Sequence, residues 1–110
     1  MNKSTLIEIL RDPLSSEADK DDAAIELGNH FEDEETIDTL IKVSNIGDID
    51  EMIAASCGES LGHIWLRKAQ IDYEKLACLK GIALTEALSL IKRQRLDWYE
   101  KFIEQTSGKK

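Results

Sequence analysis

The stretch Asp48-Ile49-Asp50-Glu51-Met52-Ile53-Ala54-Ala55-Ser56-Cys57-Gly58-Glu59-Ser60-Leu61-Gly62-His63-Ile64-Trp65 decides the fold class. Ile49, Met52, Ile53, Cys57, Leu61 and Ile64 recur in it at steps of three and four, the spacing of one buried helix face. Asp48 predicts the start: its carboxylate accepts from the Glu51 N–H while Glu51 reaches back, an Asp version of the capping box. Gly58 inside a helix costs about 1 kcal/mol relative to Ala, so its presence predicts close approach of a neighbouring helix.

Working outward, the same spacing predicts a short helix from Ser4 to Arg11 with Leu6, Ile7 and Leu10 buried, stopped by Asp12-Pro13. Ser15 or Ser16 caps a second helix, with Glu17 and Asp19 against its positive end and Ala23, Ala24, Leu27 and Phe31 inward, ending near Gly28-Asn29. Asp33 caps a third, striped by Ile37, Leu40 and Ile41 and ended by Asn45 and Gly47. Beyond the central stretch, Asp72 caps a fifth helix with Tyr73, Leu76, Ala77 and Leu79, ending near Gly81. A sixth carries Leu84, Ala87, Leu88, Ile91, Trp98 and Phe102, with a break or bend near Arg93–Arg95. No strand pattern emerges, and six Gly with one Pro leave little turn material for a sheet. The class is all-α, and 110 residues make one domain, 1–110, with 104–110 a frayed tail.

Leu27-Gly28-Asn29-His30-Phe31 and Leu61-Gly62-His63-Ile64-Trp65 lie 34 residues apart, each followed by an Asp-headed helix. Ile82 to Ile91 supplies a third copy without the glycine. Such a period suggests helix pairs that stack to bury apolar faces they cannot bury alone. The pattern resembles the HEAT-like repeat family, in which a pair closes with Ala-x-x-x-Leu-Gly. That resemblance implies three antiparallel pairs, 4–31, 33–65 and 72–103; a compact irregular helical bundle is the alternative. Short acidic chains of this kind are similar to bacterial immunity proteins, including those of contact-dependent inhibition toxins.

Charge is the other strong signal. The net charge is −8, and it is unevenly spread: residues 1–52 hold 15 acids and 4 bases, and residues 53–110 hold 7 acids and 10 bases. Glu17 to Glu35 contains nine acids and one lysine. This field repels nucleic-acid phosphates and anionic lipid and favours a basic partner, unless it is only a solvated, solubilising face. No run approaches the roughly 18 apolar residues of a membrane span, and no signal peptide is visible at the start. Two cysteines do not make a disulfide framework, so the expected compartment is the cytoplasm.

No reaction is spelled out. Cys57 and Cys78 read as small buried apolar residues, and no Cys-x-x-Cys or His-x-x-x-His pair is present, so no metal or cofactor is expected. His30 and His63 follow glycines read as helix ends, where an imidazole can bond the last carbonyls. A calcium loop counted from Asp19 fails at Ala23, Ala24 and His30. Lys92-Arg93-x-Arg95 with Trp98 and Tyr99 reads either as a small RNA or membrane footprint or as an anchored last helix. The expected function is therefore non-enzymatic: an acidic helical module that binds a basic protein. Its most specific form is an immunity protein occupying the basic cleft of a toxin, such as a nuclease; an adaptor or scaffold subunit is the alternative. The expected contacts are Asp19, Asp22, Glu26, Glu32, Asp33, Glu34, Glu35 and Asp38. Trp65 is either an aromatic anchor or a cap packed over the core. The chain is expected to be a monomer or a weak dimer.

Overall fold

The structure, a computed structural model, describes residues 2–107. These residues form an all-α bundle with no strand: α1 (Lys3–Arg11), α2 (Glu17–His30), α3 (Glu34–Ser44), α4 (Glu51–Lys68), α5 (Tyr73–Leu76), α6 (Gly81–Gln94) and α7 (Leu96–Ser107). The Cα radius of gyration, 13.6 Å, is close to the ~13 Å expected of a packed chain this long.

Among the described residues, seven helices stand where six are expected. The sixth breaks at Arg95, whose non-helical backbone ends α6 and lets α7 turn back along it. Trp98 and Phe102 consequently belong to α7, where both are buried. The fifth helix is a single turn, because Leu76 and Leu79 reach the core from a tight turn and no longer stripe is needed. Helix α7 runs through Ser107, with the Thr106 and Ser107 hydroxyls donating back to the Phe102 and Ile103 carbonyls. The helix therefore covers residues 104–107 of the expected frayed tail, and the remainder, 108–110, lies outside the described residues.

Two expected caps form, one shifts, and Asp33, at the start of α3, spends its carboxylate on Lys3 and the Thr36 hydroxyl and caps no backbone N–H. Ser16 accepts from the Asp19 N–H at 3.0 Å and Asp72 from the Lys75 N–H at 3.1 Å. Helix α4 is capped by Asp50, which accepts from the Met52 and Ile53 N–H groups, and not by Asp48. Ile46 to Asp48 are taken up by a turn, so the helix begins one carboxylate later. Its other end closes on Ala69 in the left-handed region (φ 55°), with the Ala69 and Gln70 N–H groups donating to the Leu66 and Trp65 carbonyls. A glycine would be the usual choice there, which is why nothing in the sequence marks this end.

The core lies between two sets of helices. Helix α1 packs on α2 and on α3, α3 packs on α4, and α4 lies between α2 and α6. Helices α2 and α4 run parallel, since Asp21, Ala24 and Gly28 meet Ser56, Ser60 and Arg67 in the same order. Helix α6 continues the layer in the same sense: Gly58 faces Ala83, and Gly62 faces Ala87 and Leu90. Small residues set these approaches. Gly28 lies against Ser60, whose hydroxyl donates to the Ala24 carbonyl at 2.8 Å. Gly62 is thus an interior packing point of α4, and Gly28 packs against Ser60 within the last turn of α2, which ends close to the expected Gly28-Asn29. Helix α2 continues to His30 and α4 to Lys68, because the tight interhelical packing that a missing side chain permits outweighs glycine's helix penalty.

Candidate partner-binding face

Helix α4 gives up three of its sides to α2, α3 and α6, and the remaining side is solvent-facing. Along it run Met52, Ala55, Glu59 and His63, at three- and four-residue steps. Met52 is 65% exposed and so departs from the buried stripe assigned to it. Neighbouring stripes continue the surface: Ala18, Asp22 and Ile25 on α2, Ile82 and Glu86 on α6. At one end, Glu17, Ala18, Asp21, Asp22, Asp50 and Met52 line a depression between the first turns of α2 and α4.

The carboxylates around α3 and those of the α2–α4–α6 layer differ in their partners. Five of the expected contacts gather around α3 and meet the protein's own cations. Lys3, on α1, lies 2.9 Å from Asp33 and 3.0 Å from Glu35. Lys75, on α5, bonds Glu34 and lies 2.9 Å from Asp38, while Arg67 reaches Glu32 at 3.5 Å. Arg67 also donates to the Gly28 and Phe31 carbonyls, closing the end of α2. The acids from Glu32 to Asp38 are therefore matched within the chain, because the fold brings bases 30 to 41 residues distant in sequence onto them.

Among the described residues, the carboxylates of the α2–α4–α6 layer lack such bases, as do Glu8, Asp12, Asp48, Glu74, Glu100 and Glu104 elsewhere. Glu17, Asp19, Asp22, Glu51 and Glu86 have no Lys or Arg within ion-pair distance among the described residues. Glu26 and Glu59 face His30 at 3.2 Å and His63 at 4.0 Å, each one turn away. The histidines thus face carboxylates, where helix-end carbonyls were the expected partners. Asp21 accepts from the Ser56 hydroxyl at 2.6 Å. Lysines and arginines enter α4 and α6 only in the last turns, at Arg67 and Lys68 and at Lys92 and Arg93. Of the nine expected contacts, Asp22 lies on this face, with Asp19 and Glu26 further around α2.

Trp65 is 2% exposed and lies in the core, so its packing role holds and its anchor role does not. Glu51, Glu59, Glu86, Met52, Ile25 and Ile82 were missed by sequence reasoning. The legible signal for α4 was the complement of its apolar stripe: positions 55 and 59 lie opposite Leu61.

Burial alone would raise the Asp33 carboxyl, but hydrogen bonds from Lys3 and Thr36 outweigh it and hold the group at about 2, below its ordinary 3.8. Lys75 is raised by its hydrogen bonds to Glu34 and Asp38. A carboxyl depressed in the folded state stabilises above its unfolded pKa and loses that contribution as pH falls through the folded value. Asp33→Asn is accordingly expected to flatten the acid limb of the stability profile between about pH 4 and pH 2. Urea midpoints at stepped pH measure this, and an unaltered acid limb would mean that the Lys3 contact does not form in solution.

The two thiols differ. Cys57 is fully buried, and burial pushes its thiol up to about 12. Cys78 is exposed, contrary to expectation, because it sits in the turn after α5 and offers its carbonyl to the Asn45 amide. One thiol per chain is expected to react rapidly with a colorimetric disulfide reagent, and the second only on unfolding, at least about 100-fold more slowly. Two fast equivalents would contradict the packing around α4.

Among the described residues no group of three or more His, Cys, Asp or Glu side chains is placed to hold a metal ion. No helix among them is long and apolar enough to cross a membrane. Two of the three bases of the Lys92-Arg93-x-Arg95 cluster are engaged locally: Arg95 pairs with Asp97 and lies 4.1 Å from the Trp98 ring centroid, and Lys92 lies 5.1 Å from that of Tyr99. No protein-family model, curated protein or solved structure matches the chain.

Proposed function

We propose that this chain is a non-enzymatic binding module that captures a basic protein through the solvent face of its α2–α4–α6 layer. One observation carries the reading: among the described residues, Asp22, Glu59 and Glu86 on that face have no lysine or arginine partner, whereas the carboxylates around α3 do. Carboxylates already paired have given up much of their field, so those without a base dominate steering of a positive partner. The side-by-side, parallel run of α2, α4 and α6 supports the HEAT-like arrangement of stacked pairs, which holds such groups in fixed positions. In its most specific form the module is an immunity protein. A toxin that handles nucleic acid needs a positive cleft, and a rigid carboxylate face can fill that cleft and exclude substrate without chemistry of its own.

Affinity capture followed by mass spectrometry is expected to return a basic protein. Its association rate should fall at least about tenfold, and lose most of its salt dependence, when Asp22→Lys, Glu59→Lys and Glu86→Lys are combined. The pair Glu32→Lys and Glu35→Lys should change it far less. A rate indifferent to the triple reversal would remove this face from the mechanism. If the captured protein is a toxin domain, its activity should disappear at one-to-one stoichiometry.

A further inference from the structure

Resting on that reading, we infer that the element captured by the α2–α4–α6 face is a single amphipathic helix whose apolar stripe is flanked by lysines and arginines. The face is acidic and also carries apolar side chains in the open: Met52 is 65% exposed, Ile25 40% and Ile82 38%, one from each helix of the layer. The half-buried Ala55 lies on the central helix, on the same stripe as Met52 and Glu59. Asp22, Glu59 and Glu86 belong to the three helices in turn, so carboxylates accompany the apolar groups across the layer.

Three features favour a helix over an extended segment. First, the face is built from helical backbone whose N–H and C=O groups bond within their own helices, and the hydroxyls between α2 and α4 are spent: Ser56 donates to Asp21 and Ser60 to the Ala24 carbonyl. An extended chain laid there would bury backbone groups with nothing to pair them, whereas a helix satisfies its own. Second, packed helix axes lie about 8–10 Å apart, so successive carboxylate rows recur at about that interval. Residues seven apart on a helix are separated by about 10.5 Å along its axis. A helix crossing the layer can therefore place one base over each row while its stripe meets Met52, Ile25 and Ile82. Third, the charge is complementary in sign only to a basic occupant, and a flat anionic lipid surface would be repelled.

The test uses the full chain and three synthetic probes labelled with fluorescein. One is a helix-forming peptide of about six turns with a leucine stripe flanked by lysines seven apart. The second has the same composition scrambled to destroy the stripe, and the third is a lysine oligomer of equal charge. Fluorescence anisotropy at about 150 mM salt, near physiological screening, is expected to show the amphipathic peptide binding at least about tenfold more tightly than either control. Circular dichroism should show it gaining helix on binding. Ile25→Ser with Met52→Ser should abolish that preference while leaving lysine-oligomer binding in place; both residues are exposed, and the free chain's own spectrum confirms folding. Equal binding of all three probes, weakened alike by Glu59→Lys with Glu86→Lys, would overturn the helix and leave the acidic face standing. Failure of every basic probe to bind would overturn both.

Discussion

Gly58→Ala is expected to destabilise the chain by about 3 kcal/mol, although Ala is the better helix former by about 1 kcal/mol. The added Cβ would fall on the Ala83 carbonyl oxygen, with the carbonyl carbon at 2.7 Å and Cα at 2.8 Å. These are backbone atoms, so no rotamer change relieves the clash. Helix α6 cannot simply back away, because one turn further on Gly62 holds Leu90 and the Ala87 carbonyl at 3.2 to 3.5 Å from where its own Cβ would be. The central packing of the layer would have to open. For a domain this size the loss corresponds to a melting temperature lower by about 12 °C or more. Gly47→Ala is the control, since its Cβ would meet nothing within 4 Å. A Gly58→Ala variant that melts with the wild type would mean α4 and α6 are not in register as described.

Trp65→Ala carries a comparable cost, about 3–5 kcal/mol, against a total stability of about 5–15 kcal/mol for a typical domain. Trp65 is among the largest fully buried side chains, on the last turns of α4 and in the same core as Ile37 and Leu61. Truncation leaves a void that the surrounding helices fill only in part. Urea unfolding followed by circular dichroism measures the loss, with Trp98 retained as the fluorescence reporter. A surface anchor would behave otherwise, weakening partner binding at unchanged stability. A midpoint unchanged in Trp65→Ala would therefore return the residue to the surface.

The helices were legible because their signals are local. The stripes of Leu6, Ile7 and Leu10, of Ile37, Leu40 and Ile41, and of Ile53, Cys57, Leu61 and Ile64 all face the core. Caps at Ser16 and Asp72 depend on a side chain and backbone two or three residues away. Met52 shows the limit of such patterns: an apolar residue at the first turn fits the stripe by spacing, yet α4 has no neighbour on that side. His30 and His63 face Glu26 and Glu59 one turn back and not helix-end carbonyls: Gly62 serves packing inside α4, and Gly28 does so in the last turn of α2.

Sequence by itself determined that this protein is all helical, where most helices begin, which residues form the core and that a glycine in the central helix meets a neighbour. All of these follow from periodicity and from interactions spanning a turn or two. Only the tertiary structure decided which acids remain without a partner. Lys3, Arg67 and Lys75 reach carboxylates 30 or more residues away, and electrostatic attraction depends on distance in space. Folding thus matched the acids from Glu32 to Asp38 within the chain and left carboxylates of α2, α4 and α6 facing solvent without a base among the described residues.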